Sequence, residues 1–283
     1  MTGVFLGLTM TSSVVQNCLF NTASKKELKT PAHIYYFNTF VSLVCIVIFG
    51  IMMFGKCLSV FTVGAGIVFG SLTAFRNVYN MQALANGPMN ITLLITTSST
   101  IIPTLSGVFF GEKLSLIKLI FVFILIGFIY LSLEKDGEKK VCKKWIVFVG
   151  LTFFSQGFVG VLQKVHQFSS HKEEVSGFLF TAFVFSYIYN RIRVNEKVKN
   201  LNFKTKHILI ALICGLCTFC MNFLNLRLAG MLPSQLFFPL VNGGSMVLSQ
   251  IRSVVIFKEI PTKKQIVGLV GGLCSLMAIC MVK

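Results

Sequence analysis

Residues 70–88 read GSLTAFRNVYNMQALANGP, and residues 215–233 read GLCTFCMNFLNLRLAGMLP. A shift of 145 positions places Gly70 on Gly215, Thr73 on Thr218, Asn77 on Asn222, Asn80 on Asn225 and Pro88 on Pro233. From the glycine to the second asparagine the steps are three, four and three residues, which puts all four on one helix face. The pattern predicts two related halves, each with a polar stripe on an apolar helix. Small and polar residues also occur where membrane helices pack closely, so a packing role remains the alternative.

The composition indicates an integral membrane protein. Hydrophobic residues make up 54% of the 283 residues and charged residues 12%, whereas a soluble domain has roughly 25% charged residues. The net charge of +17 does not indicate nucleic-acid binding, because Lys and Arg stand in short clusters between apolar runs. Basic loops on the cytoplasmic side of a membrane explain this distribution.

Ten apolar runs approach the length of about 20 residues that a helix needs to cross a bilayer. They are residues 2–20, 34–54, 58–85, 89–110, 116–133, 145–162, 175–189, 208–229, 234–257 and 265–282. A charged linker, residues 135–144, separates a first five-helix repeat (1–134) from a second (145–283). Because five is odd, the second repeat must lie inverted relative to the first, a plan that recurs in secondary transporters. The predicted fold is an all-α integral membrane protein with ten transmembrane helices in two inverted five-helix repeats.

Two features make this layout specific. Acidic residues, Glu112 and Glu259, follow spans four and nine, and the turns 86–88 and 231–233 precede the same spans. With these features the chain resembles, over essentially its whole length, a ten-helix EamA-type member of the drug/metabolite transporter superfamily. The resemblance implies a central cavity lined by spans one, three, four, six, eight and nine, and transport of small organic metabolites. Family members usually have cytoplasmic termini, whereas the basic loops of this chain favour termini outside.

The polar stripes supply the candidate substrate-binding residues, which are Thr73, Arg76, Asn77, Asn80, Thr218, Asn222, Asn225 and Gln16. Arg76 is the clearest charge inside a predicted span, where a charge is costly and indicates a function. Its expected partner is a substrate carboxylate or phosphate, and packing or snorkelling is the alternative. The asparagine amides suit amino-acid, sugar or nucleobase groups. Gln156 and Gln163 are weaker candidates for the same cavity.

The acidic residues are expected to act structurally. No Asp or Glu lies inside a predicted span, which disfavours proton-coupled export of cations, although aromatic faces also bind cations. For Glu112 and Glu259, at span ends, a hydrogen-bonding or gating role is favoured over a ligand role. Residues 164–174 are predicted to form a polar loop that includes Lys164 and His166.

The favoured function is that of a secondary transporter for a small polar organic metabolite, anionic or zwitterionic such as an amino acid, by alternating access. The alternatives are a multidrug or cationic-compound exporter and a non-transporting membrane subunit or lipid-carrier flippase. An enzyme is not expected, because no catalytic triad or metal cluster can be assembled at span depth. No cofactor, metal or nucleic acid is predicted. The expected partners are the solute and the lipid bilayer, with the chain a monomer or homodimer in a bacterial inner membrane.

Overall fold

The computed structural model describes residues 2–26, 31–86, 89–113, 115–132, 142–194, 205–248, 251 and 262–281. Within these ranges the regular structure is helical and contains no β-strand, which confirms the all-α class. In chain order the helices are α1 (Thr2–Lys26), α2 (Pro31–Met53), α3 (Val60–Asn86), α4 (Met89–Ser98), α5 (Ile101–Ser106), α6 (Leu116–Ser132), α7 (Lys143–Phe168), α8 (Val175–Arg193), α9 (Thr205–Met231), α10 (Ser234–Phe238) and α11 (Lys263–Met281).

Every one of the ten predicted spans contains helix, but lengths and apolarity differ among them. By length and composition, three helical segments of the described chain suffice to cross a bilayer: His33–Met53, Lys143–Phe168 and Ile208–Met231. Shorter apolar helices lie at Ile95–Phe110, Leu116–Leu131 and Ile266–Met281.

The start of the predicted loop 164–174 is helical, so that prediction was wrong. Helix α7 continues to Phe168, and the side chains of Lys164 and His166 are buried. A polar run normally indicates solvent exposure, but Lys164 finds a carboxylate inside the bundle. The ring of His166 packs against Phe178, with 4.3 Å between ring centroids.

Two helical runs are interrupted near a proline. Helices α4 and α5 are separated by a turn at Ser99 and Thr100, where Pro103 has no N–H to donate to the carbonyl of Ser99. The N–H of Ile102 donates a hydrogen bond to the carbonyl of Ser99 instead, at 3.0 Å. Helix α10 passes at Pro239 into a π-helical turn, Pro239–Gly243, before residues 244–248 resume the α-helix. Proline and π turns are common causes of such breaks and frequently mark functional sites.

The helices form one packed bundle. Helix α3 packs on α7 and α8, α9 packs on α1 and α2, α2 packs on α8, and α6 packs on α11. Aromatic side chains fill the core between α2, α3 and α8, including Phe49, Phe69, Phe178 and Phe183. Large apolar side chains cover the outside of the bundle, so burial does not follow the usual soluble pattern of polar residues outside.

The first glycine of each stripe lies at a close helix crossing. A Cβ atom on Gly70 of α3 would overlap the backbone carbonyl of Ala182 in α8. A Cβ atom on Gly215 of α9 would lie 2.6 Å from the Cβ of Val44 in α2. Glycine allows helix backbones to approach closely. The glycines of the repeated motif therefore serve helix packing.

Replacing Gly70 by alanine should destabilise the bundle. The added methyl meets main chain, which cannot rotate away, so we expect Gly70→Ala to lower the free energy of unfolding by about 1–3 kcal/mol. Gly64→Ala on the same helix is the control, because nothing lies within 4 Å of a Cβ at Gly64. Thermal denaturation of the purified proteins measures both, and equal midpoints for the two variants would contradict the close approach.

Candidate functional site

A polar cavity lies at the centre of the bundle. Its walls come from α1, α3, α5 with the turn before it, α7, α9 and the segment from α10 through the π turn. Its volume is about 80 Å³, whereas one water molecule needs roughly 10–15 Å³ by the same measure. The cavity therefore has room for several waters or for a small solute.

Seven of the eight candidate residues line this cavity. Asn80 is the exception; its Oδ1 atom is buried and has no hydrogen-bond partner in the described part of the chain. The seven that line the cavity are Gln16, Thr73, Arg76, Asn77, Thr218, Asn222 and Asn225. Helices α3 and α9 thus bring their stripes to one space, although 145 residues separate them.

Arg76 is held by amide oxygens and by no acid. Its Nη1 atom donates to Gln156 Oε1 at 2.7 Å, and its Nε and Nη2 atoms donate to Asn77 Oδ1 at 3.2 and 2.8 Å. Over the described ranges no carboxylate forms an ion pair with Arg76. Since a guanidinium carries five N–H groups, two remain for another acceptor. The positive charge therefore stands uncompensated beside the cavity.

Some polar side chains of the α9 stripe form hydrogen bonds with backbone carbonyls of α9 itself. Thr218 accepts a hydrogen bond from Gln16 Nε2 at 2.6 Å and donates to the carbonyl of Cys214 at 2.7 Å. Asn222 Nδ2 donates to the carbonyl of Thr218 at 2.8 Å. In contrast, the buried Oδ1 of Asn225 and the buried hydroxyl of Thr73 have no partner among the described residues. Buried polar groups normally find partners, so water or a solute is expected at both.

The two interrupted helices meet at the cavity. Asn242, in the π turn, donates from Nδ2 to the hydroxyl of Thr100 at 3.0 Å. Both residues line the cavity, as does Ser99. None of the three was among the candidate residues predicted from the sequence. The prolines Pro103 and Pro239 inside predicted spans were the available signal, because polar groups next to a helix break can face a cavity.

An ion pair between a buried lysine and a partly exposed glutamate adjoins the cavity where α7, α9 and α10 meet. Lys164 Nζ, whose side chain is 1% exposed, lies 2.7 Å from Glu112 Oε1 and also donates to the carbonyl of Leu232 at 2.7 Å. The other carboxylate oxygen of Glu112 accepts the backbone N–H of Ser234 at 2.7 Å. These four residues, the ion-pair cluster, join α7 and the α9–α10 turn to the segment after α5. Gln163, beside Lys164, lines the cavity.

Removing one charge of the ion-pair cluster should cost far more than removing both. Lys164→Met leaves Glu112 in the bundle without its counter-charge, so we expect a loss of about 3–5 kcal/mol in the free energy of unfolding. Adding Glu112→Gln should recover most of that loss. Lys172→Met, at an exposed lysine, is the control. Thermal denaturation measures all three, and no recovery in the double variant would show that Lys164 acts through packing alone.

A second polar cluster joins the α2–α3 and α7–α8 connections. Glu174 Oε2 accepts hydrogen bonds from the Ser59 N–H at 3.0 Å and the Ser59 hydroxyl at 2.9 Å. Glu174 Oε1 lies 3.1 Å from His171 Nδ1. Burial raises the pKa of Glu174, but hydrogen bonds from Ser59, Thr62 and His171 outweigh it and lower the pKa from 4.5 to about 2.

The lowered pKa predicts an acid-labile contact. A carboxyl group whose pKa is lower in the folded state stabilises the fold above its unfolded pKa, and the stabilisation is lost as pH falls towards the folded pKa. We therefore expect the contribution of Glu174 to be complete above about pH 5 and to disappear between roughly pH 4.5 and 2. Thermal denaturation across this range should show a steeper loss for the unaltered protein than for Glu174→Gln. Parallel curves would contradict the assignment.

The described residues contain no group of three His, Cys, Asp or Glu side chains that could hold a metal ion. The described residues that line the cavity offer hydrogen-bonding groups, the positive charge of Arg76 and apolar side chains such as Met221 and Phe238.

Comparisons with known proteins show the fold alone. No protein family and no curated protein matches the chain. Among solved structures, one crystal structure aligns with 99% of this chain and 96% of its own chain, at a TM-score of 0.77 and 12% sequence identity. Because an identity this low carries no information about activity, the likeness shows that the helical arrangement occurs in another protein and nothing more.

Proposed function

We propose that the chain is a secondary transporter that moves a small polar organic solute, anionic or zwitterionic, across a membrane by alternating access. One observation carries the proposal: a central cavity holds an arginine with no acidic partner over the described ranges, inside a bundle with an apolar exterior. A positive charge at that position is costly unless an anion joins it during function.

The exterior supports a membrane location. Large apolar side chains on the outer helices are exposed, among them Ile117, Ile120 and Phe123 on α6 and Val267 and Val270 on α11. Exposed apolar surface on this scale suits contact with lipid. Together with the three long apolar helices, it favours ten membrane-spanning segments. The short connections between helices and the resemblance to EamA-type transporters favour a bacterial inner membrane, with the chain a monomer or homodimer.

The packing of the helices supports two inverted repeats. Exchanging spans one to five with spans six to ten converts the α3–α8 contact into the α9–α2 contact, and the α3–α7 contact into the α9–α1 contact. It leaves the α2–α8 and α6–α11 contacts unchanged. Gly70 and Gly215 lie at the first pair of crossings. A two-fold relation between five-helix halves requires opposite orientations in the membrane, which is the plan of many alternating-access transporters.

Both polar clusters lie on one side of this arrangement, the side of the N-terminus. The ion-pair cluster joins the first half, through Glu112, to the second half, through Lys164. The Glu174–Ser59 contact joins the halves again. In alternating access the two halves rock about the central site. The described state is thus held together on the N-terminal side, and opening to that side requires both clusters to separate.

Transport by reconstituted protein tests the proposal. We would measure uptake into proteoliposomes of labelled anionic, zwitterionic, neutral and cationic solutes. Losing a charge-assisted hydrogen bond costs about 1.5–3 kcal/mol, so Arg76→Gln should weaken binding of an anionic or zwitterionic solute about tenfold to a hundredfold. Arg227→Gln is the matched control, because Arg227 is exposed and its guanidinium lies over Phe223, 5.5 Å from the ring centroid.

Two outcomes would favour the alternatives. Uptake of lipophilic cations only, unchanged in Arg76→Gln, would favour a multidrug exporter that binds cations through Phe237 and Phe238, which line the cavity. Uptake of no solute would favour a non-transporting subunit or a lipid-carrier flippase.

A further inference from the structure

Helices α3 and α9 present different residue types to the cavity at one pair of matched positions. The shift of 145 that superimposes the stripes also places Arg76 on Met221. Both residues line the cavity, and so do the matched pairs Thr73 with Thr218 and Asn77 with Asn222. The matched positions of α3 and α9 therefore differ in two ways: Asn225 lines the cavity whereas Asn80 does not, and α3 carries the cation Arg76 where α9 carries the thioether Met221.

Apolar side chains other than Met221 also line the cavity. Phe237 and Phe238, which follow α9 in the chain, line the cavity together with Val241. These three side chains form one packed cluster in the bundle. The cavity therefore has a cation at α3 and apolar side chains at α9 and α10, which lie among the polar stripe residues of α9. A solute that contacts both carries an anionic group and an apolar group.

The described lining residues offer uncharged acceptors to an ammonium group. Among the described residues that line the cavity, none is acidic. The unpartnered oxygens of Asn225 and Thr73 are uncharged acceptors. Such acceptors bind an N–H or O–H group of a solute without requiring a positive charge. Among the described lining residues, Arg76 is the one that can recognise a solute by charge.

We propose that the solute is a small carboxylate with a short apolar side group. Its carboxylate accepts hydrogen bonds from the two N–H groups of Arg76 that do not donate to Asn77 or Gln156. Its apolar group lies against Met221 and Phe238. An amino group is accepted and not required. This inference rests on the proposed function and specifies the class of solute.

Four related solutes separate the contributions of these groups. L-Valine carries the carboxylate, the ammonium and a branched side group. Isovalerate lacks the ammonium, L-valinamide lacks the carboxylate, and acetate lacks both the ammonium and the side group, so acetate is compared with isovalerate. We would measure the ability of each unlabelled solute to compete with L-[3H]valine uptake into proteoliposomes that contain the unaltered protein. Valine and isovalerate should compete within about threefold of each other, and valinamide about tenfold or more weakly.

Two variants assign the effects to the two walls. Arg76→Met should abolish the preference for valine over valinamide. Met221→Gln should reduce the preference for isovalerate over acetate by about threefold to tenfold, because each buried methylene contributes about 0.8 kcal/mol. Arg227→Gln and Met277→Gln are the controls, since both side chains are exposed outside the cavity. Thermal denaturation checks that each variant is folded, and the solute comparisons on the unaltered protein stand without any variant.

The failure of this inference is distinguishable from the failure of the proposed function. If valinamide competes as well as valine, or if isovalerate does not compete, the solute class is wrong while transport stands. If valine is not taken up but another labelled solute is, the inference fails and the proposed function survives. If no labelled solute is taken up, both fail.

Discussion

The ion pair between Lys164 and Glu112 fixes the geometry around the central cavity. Burying an ammonium and a carboxylate costs several kcal/mol each unless they are paired and hydrogen-bonded. Here the remaining contacts, to the Leu232 carbonyl and the Ser234 N–H, come from the turn that begins α10. Three chain segments must therefore keep their relative positions while the pair is intact. Gln163 is adjacent to Lys164, and Phe237 lies in α10, the helix that begins at Ser234. Both residues line the cavity, so the cavity walls depend on this contact.

The apolar runs predicted the positions of the helices, and the stripe spacing predicted which residues of each stripe share a helix face. The resemblance to EamA-type transporters implied that spans three and eight would line one cavity, and side chains of α3 and α9 do line one. The burial of Lys164 could not be predicted in the same way. A sequence pattern records that a residue is polar, whereas burial depends on Glu112, a partner 52 positions away. Lys164 was therefore placed in a loop, where an unpaired lysine would belong.

The helix interruptions show a second limit of the sequence. Pro103 and Pro239 lie inside runs that were treated as continuous spans, although proline removes one backbone hydrogen bond. The position of a proline does not show which polar groups form hydrogen bonds at the interruption. In the structure, Asn242 of one interruption donates to Thr100 of the other. That contact joins two segments 142 residues apart, so local sequence propensity cannot predict it.

The crossings at Gly70 and Gly215 give these two positions unequal freedom to change during evolution. At Gly215 the obstacle to a methyl group is the side chain of Val44, which a smaller residue would remove. At Gly70 the obstacle is the main chain of Ala182, which every residue type shares. A larger residue at position 215 can therefore be compensated by a smaller residue at position 44. No substitution at position 182 would remove the main chain that a side chain at position 70 meets.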